Sequence, residues 1–186
     1  MTINGDVFLS IALGIGLAAA VGLRVFLPLL FASVASHLGW IPLSADFHWL
    51  GSDAALIAFG VATLAEVAAY YIPGLDHALD AIAAPVALVA GTVVAAAVFA
   101  PMPPLVKWSL SIIAGGGAAG LTQGSSTVLR AKSAVLTGGL GNPVVATLEL
   151  GGSAVLSAMA IWAPVVALVA VLLLAVVLVR LLRRRR

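Results

Sequence analysis

From Val7 to Leu182 this chain is a succession of apolar runs, each roughly long enough to cross a bilayer as one helix of about 20 residues. The runs are parted by short segments that hold most of the prolines and charged groups. A chain of 186 residues has no core large enough to hide several such runs from water. Only 9% of its residues are charged and 63% are apolar, whereas a soluble domain carries about 25% charged residues. The mean hydropathy is +1.22. These values exclude a water-soluble domain and point to an all-α, polytopic membrane protein, because a helix satisfies its own backbone polar groups in lipid.

The formal charge of +2 says little about partners, since Arg180 and Arg183 to Arg186 supply five of the nine basic residues. There are no cysteines, which excludes disulfides, thiolate metal sites and cysteine nucleophiles. The start, Met1 to Asp6, has no basic region, so the first apolar run reads as a retained span and not as a signal peptide.

The pattern predicts about six spans in a single domain over 1–186, with halves 1–104 and 105–182 and a basic tail at 183–186. The first run, Val7 to about Ser36, is too long for one upright helix and holds Gly14, Gly16, Gly22, Arg24 and Pro28. It is expected to be tilted, kinked or broken. Loop His37 to Gly51 follows. The further spans are Ser52–Ile72, Ala81–Ala100, Leu105 to about Leu129, Pro143–Ala163 and Val165–Leu182. The last is almost pure Val, Leu and Ala and should face lipid. Six spans place both termini on one side, and the arginine tail makes that side cytoplasmic. Trp40, Trp49, Trp108 and Trp162 then fall at the outer interface, with Tyr70 and Tyr71 at the inner one. The tail reads as a topology anchor; recognition of anionic lipid is the sharper alternative.

Charged groups inside the spans are the best pointers to function, because an intramembrane charge is costly and is normally paired or facing water. Glu66 lies six residues before Ile72 and Glu149 six after Pro143, so both sit about 9 Å from the same face of the bundle. Arg130 ends the fourth span at that face. Three readings stay open: a Glu–Arg lock between helices, a solute or ion site, and an Arg130 that snorkels to water. Arg24 falls at mid-depth if the first helix breaks near Gly22, the arrangement by which many transporters build a site. Gln123, Ser125, Ser126 and Thr127 add polar groups that either bond neighbouring helices or line a cavity.

Asp76, His77 and Asp80 form the densest polar segment. Asp76 and Asp80 share a helical face, and carboxylates with an imidazole can hold a divalent metal. The plainer reading is a helix start whose dipole Asp76 complements. Two glycine-rich stretches, Gly115 to Gly124 and Thr137 to Pro143, read as close helix packing, and the second also as a re-entrant loop. Each half opens on a Gly-rich helix with a later Arg and contains a membrane Glu, which suggests a three-plus-three inverted repeat.

Several of these segments carry a resemblance. Gly14 to Leu30 with Arg24, Glu66 followed by Ile72 to Asp80, then Asn142-Pro143 and Glu149, resemble a bacterial family of small integral-membrane proteins, domain of unknown function four-one-two-six. The resemblance covers the chain to about Pro164, and Ile72-Pro73-Gly74-Leu75-Asp76 is its most specific part. Where that family often has a His and a Lys, this chain has Gln123 and Ser126. The resemblance implies that these same polar residues matter and supplies no substrate.

The expected function is a small transporter or channel for an ion or small solute. Its polar pathway would be lined by Glu66, Glu149, Arg24, Arg130, Asp76, Asp80, Asn142 and Gln123. It would work without a cofactor or nucleic acid, as a homo-oligomer in a bacterial inner membrane. The alternative is a structural or assembly protein whose Glu–Arg pairs only hold helices together. An intramembrane enzyme is the weakest reading, with Asp76, His77 and Asp80 its sole candidate residues.

Overall fold

A computed structural model describes residues 3–72 and 75–183; the side chains of 3–5, 75–78, 80, 81 and 182 are outside the described set. The described residues form helices and no strands. α1 (Ile3–Val21) and α2 (Phe26–His37) come first, then a 3-10 helix (Ala45–Gly51), α3 (Asp53–Tyr70) and α4 (Leu75–Val98). α5 (Pro104–Leu110) continues through a π-helical stretch (Ser111–Gly116) into α6 (Gly117–Thr137). α7 (Asn142–Trp162) and α8 (Pro164–Arg183) complete the bundle. α3, α7 and Pro164–Leu181 of α8 are each long and apolar enough to cross a membrane, and Asp6–Val21, Phe26–His37 and Ile82–Val98 are shorter apolar helices.

The local chemistry sets most boundaries. Ser52 caps α3, its hydroxyl accepting from Ala55 N at 3.2 Å. Prolines open α5, α7 and α8 within the first turn, where the missing N–H costs nothing. α6 ends at Gly138 and Gly139, whose φ of 61° and 90° suit glycine. The stretch Thr137 to Pro143 is therefore a tight turn closed by Gly141 N donating to Thr137 Oγ1 at 2.8 Å, and not a re-entrant loop.

One end of the bundle is marked by tryptophan. Trp40 lies against Trp162, with ring centroids 5.7 Å apart, and Phe47 lies against Trp108 at 6.3 Å. The segment 38–51 is packed into this end by buried Ile41, Leu43, Phe47 and Leu50. Lys107 is buried here too, donating to Ser44 Oγ at 2.9 Å and pairing with Asp46 at 3.4 Å.

α1 is the central helix, packed against α2, α4, α6, α7 and α8. Apolar on every side, it suits burial all round. It begins at the tryptophan end, where Ser10 Oγ accepts from Ala100 N at 3.0 Å and Asp6 shares a pocket of about 550 Å³ with Asp46 and Lys107. It then descends antiparallel to α7, meeting Ala160 at Gly16, Ser153 at Ala20 and Ala146 at Arg24. α2 turns back and returns to the tryptophan end, where Ser33 bonds Leu50 O at 2.5 Å.

The first apolar run is thus an out-and-back hairpin of two short helices. A single span through it had placed the N-terminal helix start at the Tyr70–Tyr71 end; it lies at the opposite one.

Candidate functional site

The hairpin turns inside the bundle, and its exposed backbone groups have to be satisfied there. α1 ends at Val21, where Gly22 meets α6 so closely that a Cβ would overlap Thr122 Oγ1 and the Ala119 carbonyl. The last carbonyls of α1 are taken by hydroxyls from other helices. Ala19 O accepts from Thr122 Oγ1 at 2.7 Å and Ala20 O from Ser153 Oγ at 3.0 Å. Ala20 O also receives Leu23 N and Arg24 N, at 3.0 and 3.1 Å.

The start of α2 is held by an acid. Val25 N and Phe26 N donate to Glu66 Oε1 and Oε2 at 2.9 and 3.1 Å. A carboxylate at a helix N-terminus accepts otherwise orphaned donors and meets the positive end of the dipole. Glu66 is therefore the cap of a broken helix first, and a member of the charged cluster only through the electrostatic reach of Arg24 and Glu149.

Glu149 is the hub of that cluster. Its Oε1 accepts from Arg130 Nε at 2.9 Å and from Ser126 Oγ, and its Oε2 pairs with Arg130 Nη2. Arg24 Nη2 stands 3.4 Å from the same Oε2 and donates to Ala146 O at 2.7 Å. Both guanidinium groups lie on the ring of Tyr70, at 3.9 Å for Arg24 and 4.3 Å for Arg130. Arg24, Arg130 and Glu149 are 2%, 4% and 5% exposed. The centre thus takes Arg24 from the α1–α2 turn, Tyr70 from the end of α3, Ser126 and Arg130 from α6 and Glu149 from α7, at a depth of about 6–11 Å from the start of α7.

Of the other residues singled out, Gln123 is buried beside the Gly22 contact on α6, and Asn142 is buried as the first residue of α7. Asp76 and Asp80 lie in the first turns of α4 with His77; their side chains fall outside the described residues. Among the described residues no group of three His, Asp or Glu has the arrangement to hold a metal ion. Tyr70, Ser126, Thr122 and Ser153 had only generic roles or none in the sequence reading. Tyr70 stands four residues after Glu66 and Ser126 four before Arg130, a spacing that puts each beside its charged neighbour on one helical face.

An apolar cleft of about 470 Å³ opens between α3 and α4 and reaches this centre, with Val25, Phe26, Glu66, Tyr70 and Val86 among its walls. A variant tests the packing of the turn. Gly22→Ala is expected to destabilise the fold by about 1–3 kcal/mol, since the colliding Ala119 carbonyl belongs to a helix backbone and cannot rotate away. Denaturant unfolding in detergent micelles measures it; an unchanged midpoint would refute the close approach.

The fold and the buried charges define a helical membrane protein with an intramembrane ionic centre. No curated protein and no solved structure matches the chain significantly. The family model described as Domain of unknown function (DUF4126) matches residues 11–184, and the chain belongs to that family.

Proposed function

We propose that this chain is a small membrane transporter or channel that moves an ion or small solute past the Arg24–Glu149–Arg130 centre. The observation that carries the reading is the broken α1–α2 hairpin, whose turn sets Arg24 and the Glu66-capped helix end among ionic groups inside the bundle. Broken helices with charged groups at the break are the usual construction of a transporter site. The cleft beside Glu66 and Tyr70 supports access from the α3–α4 side. Arg130 and Lys132 follow the positive-inside pattern if the Tyr70 end faces the cytoplasm of an inner membrane. α8 crosses once from the tryptophan end, so its Arg180 and Arg183 also lie inside and α1 starts outside.

A second reading has its own support. Glu149 is saturated by Arg130 and Ser126, as a lock between α6 and α7 requires. Liposome flux separates the two. Wild-type protein should carry proton, cation or anion flux, and Arg24→Gln or Glu66→Gln, checked as monodisperse and folded, should lower it at least about tenfold, the factor that 1.4 kcal/mol of lost interaction corresponds to. Flux of every probe unchanged in both variants rules out the pathway and leaves the lock.

A further inference from the structure

The seam between α3 and α4 is open along most of its length. Ala62, Ala65 and Ala69 stand at i, i+3 and i+7 on α3 and line the cleft of about 470 Å³. Small residues normally let membrane helices close on each other. Here the two helices stay apart. A second cavity of about 410 Å³ continues the cleft toward the tryptophan end, with Leu29, Trp49, Phe59 and Val93 among its walls. Val25, Phe26 and Val86 line both, so the two form one groove. It follows α4 from Leu79 to Val93, about 21 Å. Its walls are apolar or aromatic except for Glu66, whose oxygens are turned to the α2 amides. Val61 and Leu64 on α3 and Ile82 and Val89 on α4 are exposed, so the same two helices meet lipid.

We infer that this groove holds the acyl tail of one bilayer lipid, kept apart from the general lipid shell. Water is a poor occupant, because apolar cavities of this kind stay dry. An empty groove forfeits dispersion contacts along both walls. A helix of a second copy is too wide. Each cavity volume divided by its run along α4 gives a cross-section of roughly 35–45 Å², against roughly 80–110 Å² for a helix with its side chains. A flexible hydrocarbon tail fits that section. The length fits as well, since one leaflet is about 15 Å deep and a tail extended along the groove runs its full depth. Trp49, against Phe59 at 6.3 Å, marks the mouth at the level where tryptophans meet lipid head groups. The far end of the tail lies against Tyr70 and the Glu66-capped start of α2, where it keeps water from the cap. On the transport reading, a solute entering from this side has to displace the tail, which makes the lipid a gate. The binding itself does not rest on that reading.

The test uses the full chain, delipidated in dodecyl maltoside, and a phosphatidylethanolamine with a photoactivatable diazirine near the end of one tail. Peptide mass spectrometry maps the adducts and native mass spectrometry counts the lipids. Adducts on Ala65 and Val86 should saturate at one lipid per chain, while those on Val177 of α8 keep rising with lipid. The unfolding temperature should rise over the same range. Val86→Trp, which fills the groove where the two cavities meet, should lower groove labelling at least about tenfold, the factor that 1.4 kcal/mol of lost interaction gives. Val177→Trp should leave it unchanged. Groove adducts that rise in step with those on α8 mean ordinary shell lipid and overturn the proposal. So does an unlabelled groove in a chain that cross-links to a second copy through α3 or α4. Should Val86→Trp fail to fold, saturation in the wild type decides alone. Saturable labelling without flux of any solute keeps the lipid site and removes the transport reading; flux without saturable labelling does the reverse.

Discussion

Neutralising Glu149 is expected to destabilise the folded chain by about 3–5 kcal/mol, the cost of leaving a buried charge without its partner. Glu149→Gln keeps the shape of the side chain but takes its carboxylate from Arg130, 4% exposed, and from the 3.4 Å contact with Arg24. Ser126 keeps a hydrogen-bonding neighbour, so the loss is electrostatic more than steric. A double variant separates the cause. Glu149→Met with Arg130→Met removes both charges together, and replacing a whole buried pair by apolar groups is often close to neutral. It should recover most of the loss, less the share owed to Arg24. Unfolding in micelles, followed by helical signal against denaturant, gives the three values. A loss below about 1 kcal/mol for Glu149→Gln would mean that water reaches the pair, as for an exposed salt bridge.

That Glu66, Glu149 and Arg130 lie at similar depth is legible from helix arithmetic, whereas the depth of Arg24 depends on a break near Gly22. Glu66 stands six residues before Ile72 and Glu149 six after Pro143, the predicted ends of oppositely directed spans, and the rise per residue does the rest. The helices themselves were equally plain, because an apolar run bounded by proline leaves little choice in lipid. The chain reversal at Gly22 to Val25 was not. A break needs partners for its carbonyls and amides, and here they are Thr122, Ser153 and Glu66, drawn from three helices far away in sequence. No local pattern announces that set. Counting the first run as one span therefore sets the start of α1 at the other end of the bundle. The same gap hid the role of Glu66. Spacing set it beside Arg130 and Glu149, whereas the turn of α1 into α2 puts two backbone amides closer. The tendency of tyrosines to collect at interfaces predicts Tyr70 there; the assembled centre shows two guanidinium groups on its ring.

The cap on α2 should reveal itself as a graded series at Glu66. Glu66→Ala leaves the amides of Val25 and Phe26 without an acceptor in a site that excludes water, and each unsatisfied buried donor costs about 1–3 kcal/mol. The sum, about 2–6 kcal/mol, is large enough to open the hairpin. Glu66→Gln keeps one oxygen for one amide and turns an NH2 group toward the other, so it should cost roughly half as much. Glu66→Asp shortens the reach by one methylene and should fall near Gln. If Glu66 acted mainly as the counter-charge of Arg24, the order would change: Asp would be tolerated best and Gln would be as harmful as Ala. Hydrogen exchange at Val25 and Phe26 reports the cap itself. Protection there should collapse in Glu66→Ala before that of α7 does, because α7 keeps its own bonds to Arg24 and Arg130. Uniform loss of protection along the chain would instead assign Glu66 to the ionic centre as a whole, and the helix start would owe its stability to packing alone.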